Sequence, residues 1–253
     1  MKAFTELLRS LGRTAFGTWA KLPTCDSVEL LAIAGFDFIA IDMEHAPLDI
    51  RDVHQLIGAA RGRDLPALVR VPDRSPTVIA RVLDSGAAGV LVPHVDHPGD
   101  AVNAVAAARF PPLGTRGFGP TVRAGGWGTD TAAYRASAAS AAVIPQLESR
   151  AAIAAMHRIG ATDGLDALFV GPADLAVATG LTADAPEFRA LLDTAERTAA
   201  ELGIPLGTAT GASAAAAAAL ARRYQFVLLA NDATLLTGAA SELLTATKKS
   251  LTA

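Results

Sequence analysis

The sequence has few charged residues, and this scarcity limits its partners. Of 253 residues, 19% are charged and 51% are hydrophobic, a composition that is typical of folded rather than disordered chains. Lys and Arg number 22 against 25 Asp and Glu, and the net charge of −3 offers no basic field for a nucleic-acid backbone. We therefore expect no nucleic-acid partner.

The chain has one cysteine and no long apolar run. Cys25 alone makes neither an intrachain disulfide nor a cysteine-based zinc site, which fits a reducing compartment, and we interpret it as a small buried side chain. No apolar stretch reaches the ~18 residues that span a bilayer. The N-terminal MKAFTELLRSLGR places Glu6 and Arg9 among its apolar residues, unlike a signal peptide. These features predict a cytoplasmic protein that does not contact membranes.

Eight short apolar runs recur along the chain. Because they are continuously apolar rather than alternating, we expect parallel strands that helices cover. The runs are FGTWA (16–20), DFIAID (37–42), ALVRV (67–71), GVLVP (89–93), AVIPQLE (142–148), ALFVG (167–171), PLGTA (205–209) and FVLLA (226–230).

Helical patterns separate these runs and carry start and stop signals. Starts are expected at Asp26–Ser27, Asp49 and Ser75–Pro76, because Asp and Ser cap helices and Pro suits the first turn. The alanine run 214–219 is interpreted as the seventh helix of the barrel. Glycines that precede the next strand indicate helix ends, and these are Gly35, Gly62, Gly86, Gly160 and Gly203.

The alternation predicts an α/β fold, a (β/α)₈ barrel in which residues 1–253 form a single domain. A doubly wound sheet would need a glycine-rich phosphate turn after the first strand, and FGTWAKLPT does not supply one. The segment FPPLGTRGFGPTVRAGGWG predicts a long loop at about 110–130, a functional or assembly surface.

In such a barrel, reactive groups lie at the carboxyl ends of the strands. The polar residues at these positions are Trp19, Asp42, Glu44, His45, Arg70, His94, Gln146, Glu148, Asp174, Thr208, Thr210, Asn231 and Asp232. Several have structural alternatives: Asp42 and Glu44 as caps of the second helix, and Asp174 as an N-cap. His54 is interpreted as a surface or packing residue. His94 and His97 stay open as metal ligands without a third partner.

The carboxylates of Glu148 and Asp174 suit a hard divalent cation such as Mg²⁺ or Mn²⁺. A 2-oxo acid bound to that ion would form a metal-stabilised enolate, and Arg70 would share its charge. An imine mechanism needs a desolvated lysine, but Lys2, Lys21, Lys248 and Lys249 all lie outside the predicted strands, and Lys21 is the nearest candidate.

Six motifs follow one another in order over nearly the whole chain: DFIAIDMEHAP, LVRVP, GVLVPHV, FPPLGTRGFG, PQLES and FVGPADL. In these motifs the sequence resembles the HpcH/HpaI family of class II aldolases. The resemblance implies a (β/α)₈ barrel that reversibly cleaves 4-hydroxy-2-oxo acids to pyruvate and an aldehyde with Mg²⁺, Mn²⁺ or Co²⁺. It also implies a homo-hexamer, a trimer of dimers that exchange the last helix.

The resemblance also implies roles for individual residues. Glu148 and Asp174 match the metal ligands, and His45 matches a general base with Asp42 as its partner. Arg70 matches the arginine at the pyruvoyl oxygen. The remaining matches are Gln146 near the metal, Gly171, Pro172, Ala173 and Asp174 at the substrate carboxylate, and Asp84 near the aldehyde, contributed across a subunit interface.

The predicted site residues give one hypothesis for the reaction and leave two alternative functions. His45 removes the C4 hydroxyl proton, the C3–C4 bond breaks, and the enolate is protonated to pyruvate. The alternatives are a citrate lyase or citrate synthase-like enzyme that uses a CoA thioester, and a barrel that binds a small acid without turnover. The aldehyde is left open, and we expect the segments TATGAS and TVRAGGWG to set specificity.

Overall fold

Eight parallel strands follow one another around a closed barrel, and the last strand pairs with the first. The structure, a computed structural model, describes residues 3–211 and 213–251. The strands are β1 (Ala15–Ala20), β2 (Phe38–Asp42), β3 (Ala67–Arg70), β4 (Gly89–Val92), β5 (Ala142–Leu147), β6 (Leu168–Val170), β7 (Leu206–Thr210) and β8 (Phe226–Asn231). The predicted (β/α)₈ barrel is confirmed.

Helices surround this barrel and fill the connections between its strands. They are α1 (Phe4–Leu11), α2 (Cys25–Ile33), α3 (Ile50–Gly62), α4 (Pro76–Asp84), α5 (Pro98–Ala108), α6 (Thr131–Ser140), α7 (Arg150–Gly160), α8 (Pro172–Thr179), α9 (Pro186–Leu202), α10 (Ala214–Leu220) and α11 (Asp232–Ser250). Within the described parts of the chain, no helix combines the length and the apolar character needed to cross a membrane.

The predicted helix starts are correct at two places and displaced at one. Asp49 caps α3 in a capping box with Asp52, and Pro76 occupies the first turn of α4. The start of α2 was wrong by two residues, because Thr24 caps this helix and accepts a hydrogen bond from the N–H of Asp26. Cys25 is therefore the first residue of α2, where it is half-buried rather than buried.

The predicted glycine stops fall into two kinds. Gly35, Gly86 and Gly203 have φ angles of 91°, 92° and 65°, the left-handed conformation that glycine adopts without a steric penalty. Gly62 and Gly160 are instead the last residues of α3 and α7. Both kinds lie within a few residues of the end of a helix.

Helix α1 closes one end of the barrel. Phe4 is fully buried, and its ring meets those of Phe38 and Phe226 edge-on at centroid distances of 5.1 and 5.2 Å. Phe38 and Phe226 are the first residues of their strands. The floor of the barrel is thus sealed by aromatic packing at the amino ends of the strands, which leaves the opposite end open.

The predicted loop at about 110–130 has a small core of its own. Phe110 and Tyr134 pack together at a centroid distance of 5.0 Å, and the guanidinium of Arg116 stacks over Phe110. A 3₁₀ turn follows at Arg123–Gly128 and leads into α6. Aromatic packing therefore fixes a segment whose glycine and proline content predicted only irregular structure.

Candidate active site

A buried ion pair connects two neighbouring strands at the open end of the barrel. Asp42 and Arg70 are the last residues of β2 and β3, and they are partners in the register of the two strands. Arg70 Nε and Nη2 donate to Asp42 Oδ1 and Oδ2 at 2.8 and 2.7 Å. Because two parallel bonds fix the guanidinium plane, Arg70 has a defined orientation toward the cavity.

Asp42 holds several groups besides Arg70. Lys21 Nζ lies 2.9 Å from Asp42 Oδ2, and the backbone N–H groups of Glu44 and His45 donate to Oδ1. Burial alone would raise the pKa of Asp42, but the hydrogen bonds and charges of Arg70 and Lys21 outweigh burial and lower it to about 2. Asp42 is therefore charged at neutral pH and anchors the mouth.

Lys21 is a residue of the mouth whose contact sequence reasoning missed. It was considered only as an imine-forming amine, whereas its ammonium group pairs with Asp42. The sequence signal for this contact is the position of Lys21 directly after β1, because β1 and β2 are neighbours in the barrel and Asp42 ends β2. Lys248 and Lys249 lie on α11, and Lys2 lies outside the described residues.

Glu44 links Arg70 to a histidine, His94, from the loop after β4. Its carboxylate lies 3.1 Å from Arg70 Nη1 and 3.2 Å from His94 Nε2. Burial raises the pKa of Glu44 and the neighbouring Glu148 adds to the rise, although Arg70, His45 and His94 oppose it. The alternative that Asp42 and Glu44 cap a helix is wrong, because Asp49 caps α3.

Glu148 follows β5 and is the centre of a polar cluster. Its Oε1 lies 2.6 Å from His94 Nδ1 and accepts the backbone N–H of His94 at 2.7 Å. Gln146 Nε2 donates to Glu148 Oε2 at 2.5 Å and to Asp174 Oδ2 at 3.4 Å. The two predicted metal-binding carboxylates, Glu148 and Asp174, therefore flank one amide.

Asp174 lies in the first turn of α8 and not at its cap. The N-cap is Gly171, followed by Pro172. A Cβ at Gly171 would lie 3.1 Å from Asp174 Oδ2 and 3.2 Å from Gln146 Nε2, so the absent side chain allows this close approach. Gly171, Pro172, Ala173 and Asp174 line a cavity, and because first-turn N–H groups have no acceptor within their own helix, a helix start at this place suits a carboxylate.

These residues fit a divalent cation. One ligand atom from each of Glu44, His94 and Glu148 lies within 4.8 Å of the others. Gln146 Oε1 is buried without a hydrogen-bond partner beside them. Hard carboxylate oxygens, an imidazole nitrogen and an unsatisfied amide oxygen are donors that such an ion, or water bound to it, would satisfy. This cluster contains Glu148 of the predicted pair together with Glu44 and His94, and the predicted role of Asp174 as a ligand stays a prediction.

His45 lies between two adjoining cavities. One, of about 290 Å³, is also lined by Trp19, Arg70 and the start of α8. The other, of about 310 Å³, is also lined by Glu148 and Asp174. The His45 ring is half exposed, with Nε2 at 3.8 Å from Glu44 Oε2. Asp42 contacts the backbone of His45, and its predicted partnership with the imidazole stays a prediction.

Other predicted residues lie away from these cavities or have structural roles. Asp84, at the end of α4, accepts hydrogen bonds from Arg116 and Tyr134 at 2.6 and 2.7 Å. Its role at the aldehyde end would require a neighbouring subunit and stays a prediction. The buried carboxylate of Asp232 binds the backbone N–H of Lys21 and so fixes the loop after β1.

The remaining polar candidates also have structural contacts. Thr208 donates to the carbonyl of Val170, and Asn231 caps α11. His54 packs against Trp127 and contacts Arg123, as expected of a packing residue. In the segment TATGAS, expected to set specificity, Ala212 lies outside the described residues.

Comparisons with known proteins show which family and fold this chain resembles. The family model described as HpcH/HpaI aldolase/citrate lyase matches residues 15–239. The chain is 34% identical to the 2-dehydro-3,6-dideoxy-6-sulfogluconate aldolase of Pseudomonas putida and 37% identical to the 5-keto-4-deoxy-D-glucarate aldolase of Enterobacter sp. (strain 638), each over 92% of both chains. A crystal structure of a family protein from Burkholderia cenocepacia J2315 superposes with a TM-score of 0.91 at 35% identity, covering 98% of this chain and 100% of that one.

Proposed function

Because the chain belongs to the HpcH/HpaI aldolase/citrate lyase family, we propose that it is a divalent-metal-dependent aldolase, a carbon–carbon lyase. It reversibly cleaves 4-hydroxy-2-oxo acids to pyruvate and an aldehyde. The observation that carries the proposal is the buried, bidentate Arg70 facing the same cavity as Gln146 and Asp174. A guanidinium so placed can stabilise a developing oxyanion next to an ion site.

Glu148 and Asp174 would hold the ion, Mg²⁺, Mn²⁺ or Co²⁺, next to Gln146. When bound, the ion supplies Lewis-acid polarisation of the 2-oxo group. Arg70 stabilises the negative charge that develops on the 2-oxo oxygen, and Asp42 and Glu44 keep its guanidinium in place at 2.7 and 3.1 Å. The N–H groups at the start of α8 receive the substrate carboxylate.

His45 acts as the general base. In the cleavage direction it takes the proton of the C4 hydroxyl, the C3–C4 bond breaks to give the aldehyde, and a proton added to C3 of the remaining enolate gives pyruvate. In the reverse direction it returns this proton to the new alkoxide. The half-exposed ring borders both cavities, where it can reach a substrate held between Arg70 and the start of α8.

The test is carbon–carbon bond formation from pyruvate and a panel of aldehydes, including tartronate semialdehyde and succinic semialdehyde. The chelated protein is assayed alone and with each of the three metals. We expect product only when metal is restored. Full activity after chelation would refute the metal requirement, and no product from any aldehyde with metal bound would refute the aldolase.

A second candidate is condensation or cleavage with a CoA thioester, because the family description includes citrate lyase. Assays with oxaloacetate and acetyl-CoA separate this candidate from the aldolase. If citrate forms and no aldehyde reacts, the second candidate replaces the first.

We also propose a homo-hexamer, built as a trimer of dimers through α11. Four leucines of this helix have side chains that are 41–70% exposed: Leu235, Leu236, Leu243 and Leu244. An exposed apolar row of this kind is typical of a surface that another subunit covers.

A further inference from the structure

His94 is placed between two buried glutamates. Its Nδ1 lies 2.6 Å from Glu148 Oε1, and its Nε2 lies 3.2 Å from Glu44 Oε1. Its backbone has φ 55°, a left-handed conformation that is uncommon outside glycine, and its N–H donates to Glu148. Backbone and ring are therefore both held against Glu148.

The charges of this cluster are not balanced by the protein. The side chains of Glu44 and Glu148 are only 8% and 7% exposed, so an uncompensated negative charge there is costly. Arg70 pairs with Glu44, but within residues 3–211 and 213–251 no lysine or arginine forms an ion pair with Glu148. The His94 ring is itself 62% exposed, and an ion pair with so exposed a group stabilises little.

We infer that His94 is a direct ligand of the divalent ion, together with Glu148. This inference rests on the proposed function and extends it, because it gives the ion a nitrogen donor in addition to oxygen donors. Imidazole nitrogen suits later transition metals, whereas Mg²⁺ prefers oxygen and water. The site should therefore select Co²⁺ over Mg²⁺.

The first measurement is electron spin echo envelope modulation on the whole protein loaded with Mn²⁺ alone. A directly coordinated imidazole couples its ¹⁴N nucleus to the manganese spin, and a histidine that only hydrogen-bonds to a ligand does not give this direct coupling. We expect the coupling in the wild type and in His97→Gln, which changes a histidine of the same loop outside the cluster. We expect its loss in His94→Gln.

The second measurement is the affinity for Co²⁺ and for Mg²⁺ by calorimetry. His94→Gln should weaken Co²⁺ binding by at least the 10- to 100-fold that loss of a metal-site group typically costs, and Mg²⁺ binding by less. His97→Gln should leave both affinities within about threefold.

The outcomes separate this inference from the function on which it rests. Bound Mn²⁺ without nitrogen coupling, or coupling that persists in His94→Gln, overturns His94 as a ligand and leaves the aldolase standing. A protein that binds none of the three metals refutes the proposed function as well. If His94→Gln does not fold, the wild-type spectrum and His45→Gln, which retains His94 and should retain the coupling, still decide.

Discussion

Arg70 and Asp42 form the central ion pair of the mouth. Removing one of the two charges leaves the other buried without this partner. Asp42→Asn deprives Arg70, 5% exposed, of its bidentate acceptor. Because a buried charge that loses its partner is strongly destabilising, we expect a loss of about 3 kcal/mol in the free energy of unfolding, measured by urea denaturation. Asp193→Asn, in a half-exposed pair with Arg223, should change it by less than about 1 kcal/mol. Equal losses of unfolding free energy in the two variants would contradict a larger contribution from the buried pair.

The lowered pKa of Asp42 also predicts a pH dependence of stability. The folded pKa of about 2 lies below the ordinary value of 3.8. The stabilisation is therefore fully present above pH 3.8 and is lost as pH falls toward 2. At 1.36 kcal/mol per pKa unit it amounts to about 2 kcal/mol. Wild type and Asp42→Asn should converge in urea midpoint over this range, and a constant difference would contradict the shift.

His45→Ala tests the general base. Loss of general acid–base assistance should lower kcat for aldol cleavage by about 10²- to 10⁴-fold, with a much smaller change in KM. His157→Ala, on the outer face of α7, is the matched control and should retain wild-type kinetics. Near-normal kcat in the His45 variant would assign the proton transfer to another group.

Sequence alone identified the strand-end polar residues, because the end of an apolar run marks the mouth of a barrel. It did not identify the contacts among them. The pairing of Lys21 with Asp42 depends on the direction of a long side chain. The position of His94 beside Glu148 depends on a left-handed backbone that the segment PHVDH does not signal.

At the scale of the elements, small residues on some strands make room for aromatic rings on neighbouring ones. A Cβ at Gly207 of β7 would lie 2.1 Å from the ring of Phe226 on β8. Gly207→Ala should therefore lower the free energy of unfolding by about 1–3 kcal/mol through overpacking. Gly99→Ala, in α5 with nothing within 4 Å of the added Cβ, should leave stability equal or higher. Similar losses in both would argue against overpacking.

The strands could be predicted from the sequence, but the packing of α1 against the floor of the barrel could not. Continuous apolar runs such as FVLLA identify a buried strand whatever surrounds it. Helix α1 stabilises the barrel through Phe4, which lies between two rings that are 34 and 222 residues away in sequence. Contacts at such separations leave no periodic pattern in the sequence.

At the scale of the whole molecule, α11 carries four exposed leucines among the residues that the structure describes. If the proposed hexamer forms, six copies of the 25.9 kDa chain give a mass of about 155 kDa by light scattering. The double substitution Leu243→Lys and Leu244→Lys should shift this mass downward, because charge replaces apolar surface that is 70% and 55% exposed in one chain. Val102→Lys, on α5, is the control. An unchanged mass in the double variant would exclude these leucines from the interface.

The four carboxylates at the mouth have a consequence for the order of events. The formal charge is −4 on the carboxylates of Asp42, Glu44, Glu148 and Asp174 and +2 on Lys21 and Arg70, which leaves a net charge of −2. One divalent ion brings this sum to neutral. A 2-oxo acid is itself an anion and would be repelled by a mouth of charge −2, so we expect the proposed ion to bind before the proposed substrate and pyruvate to saturate the protein only once the ion is in place.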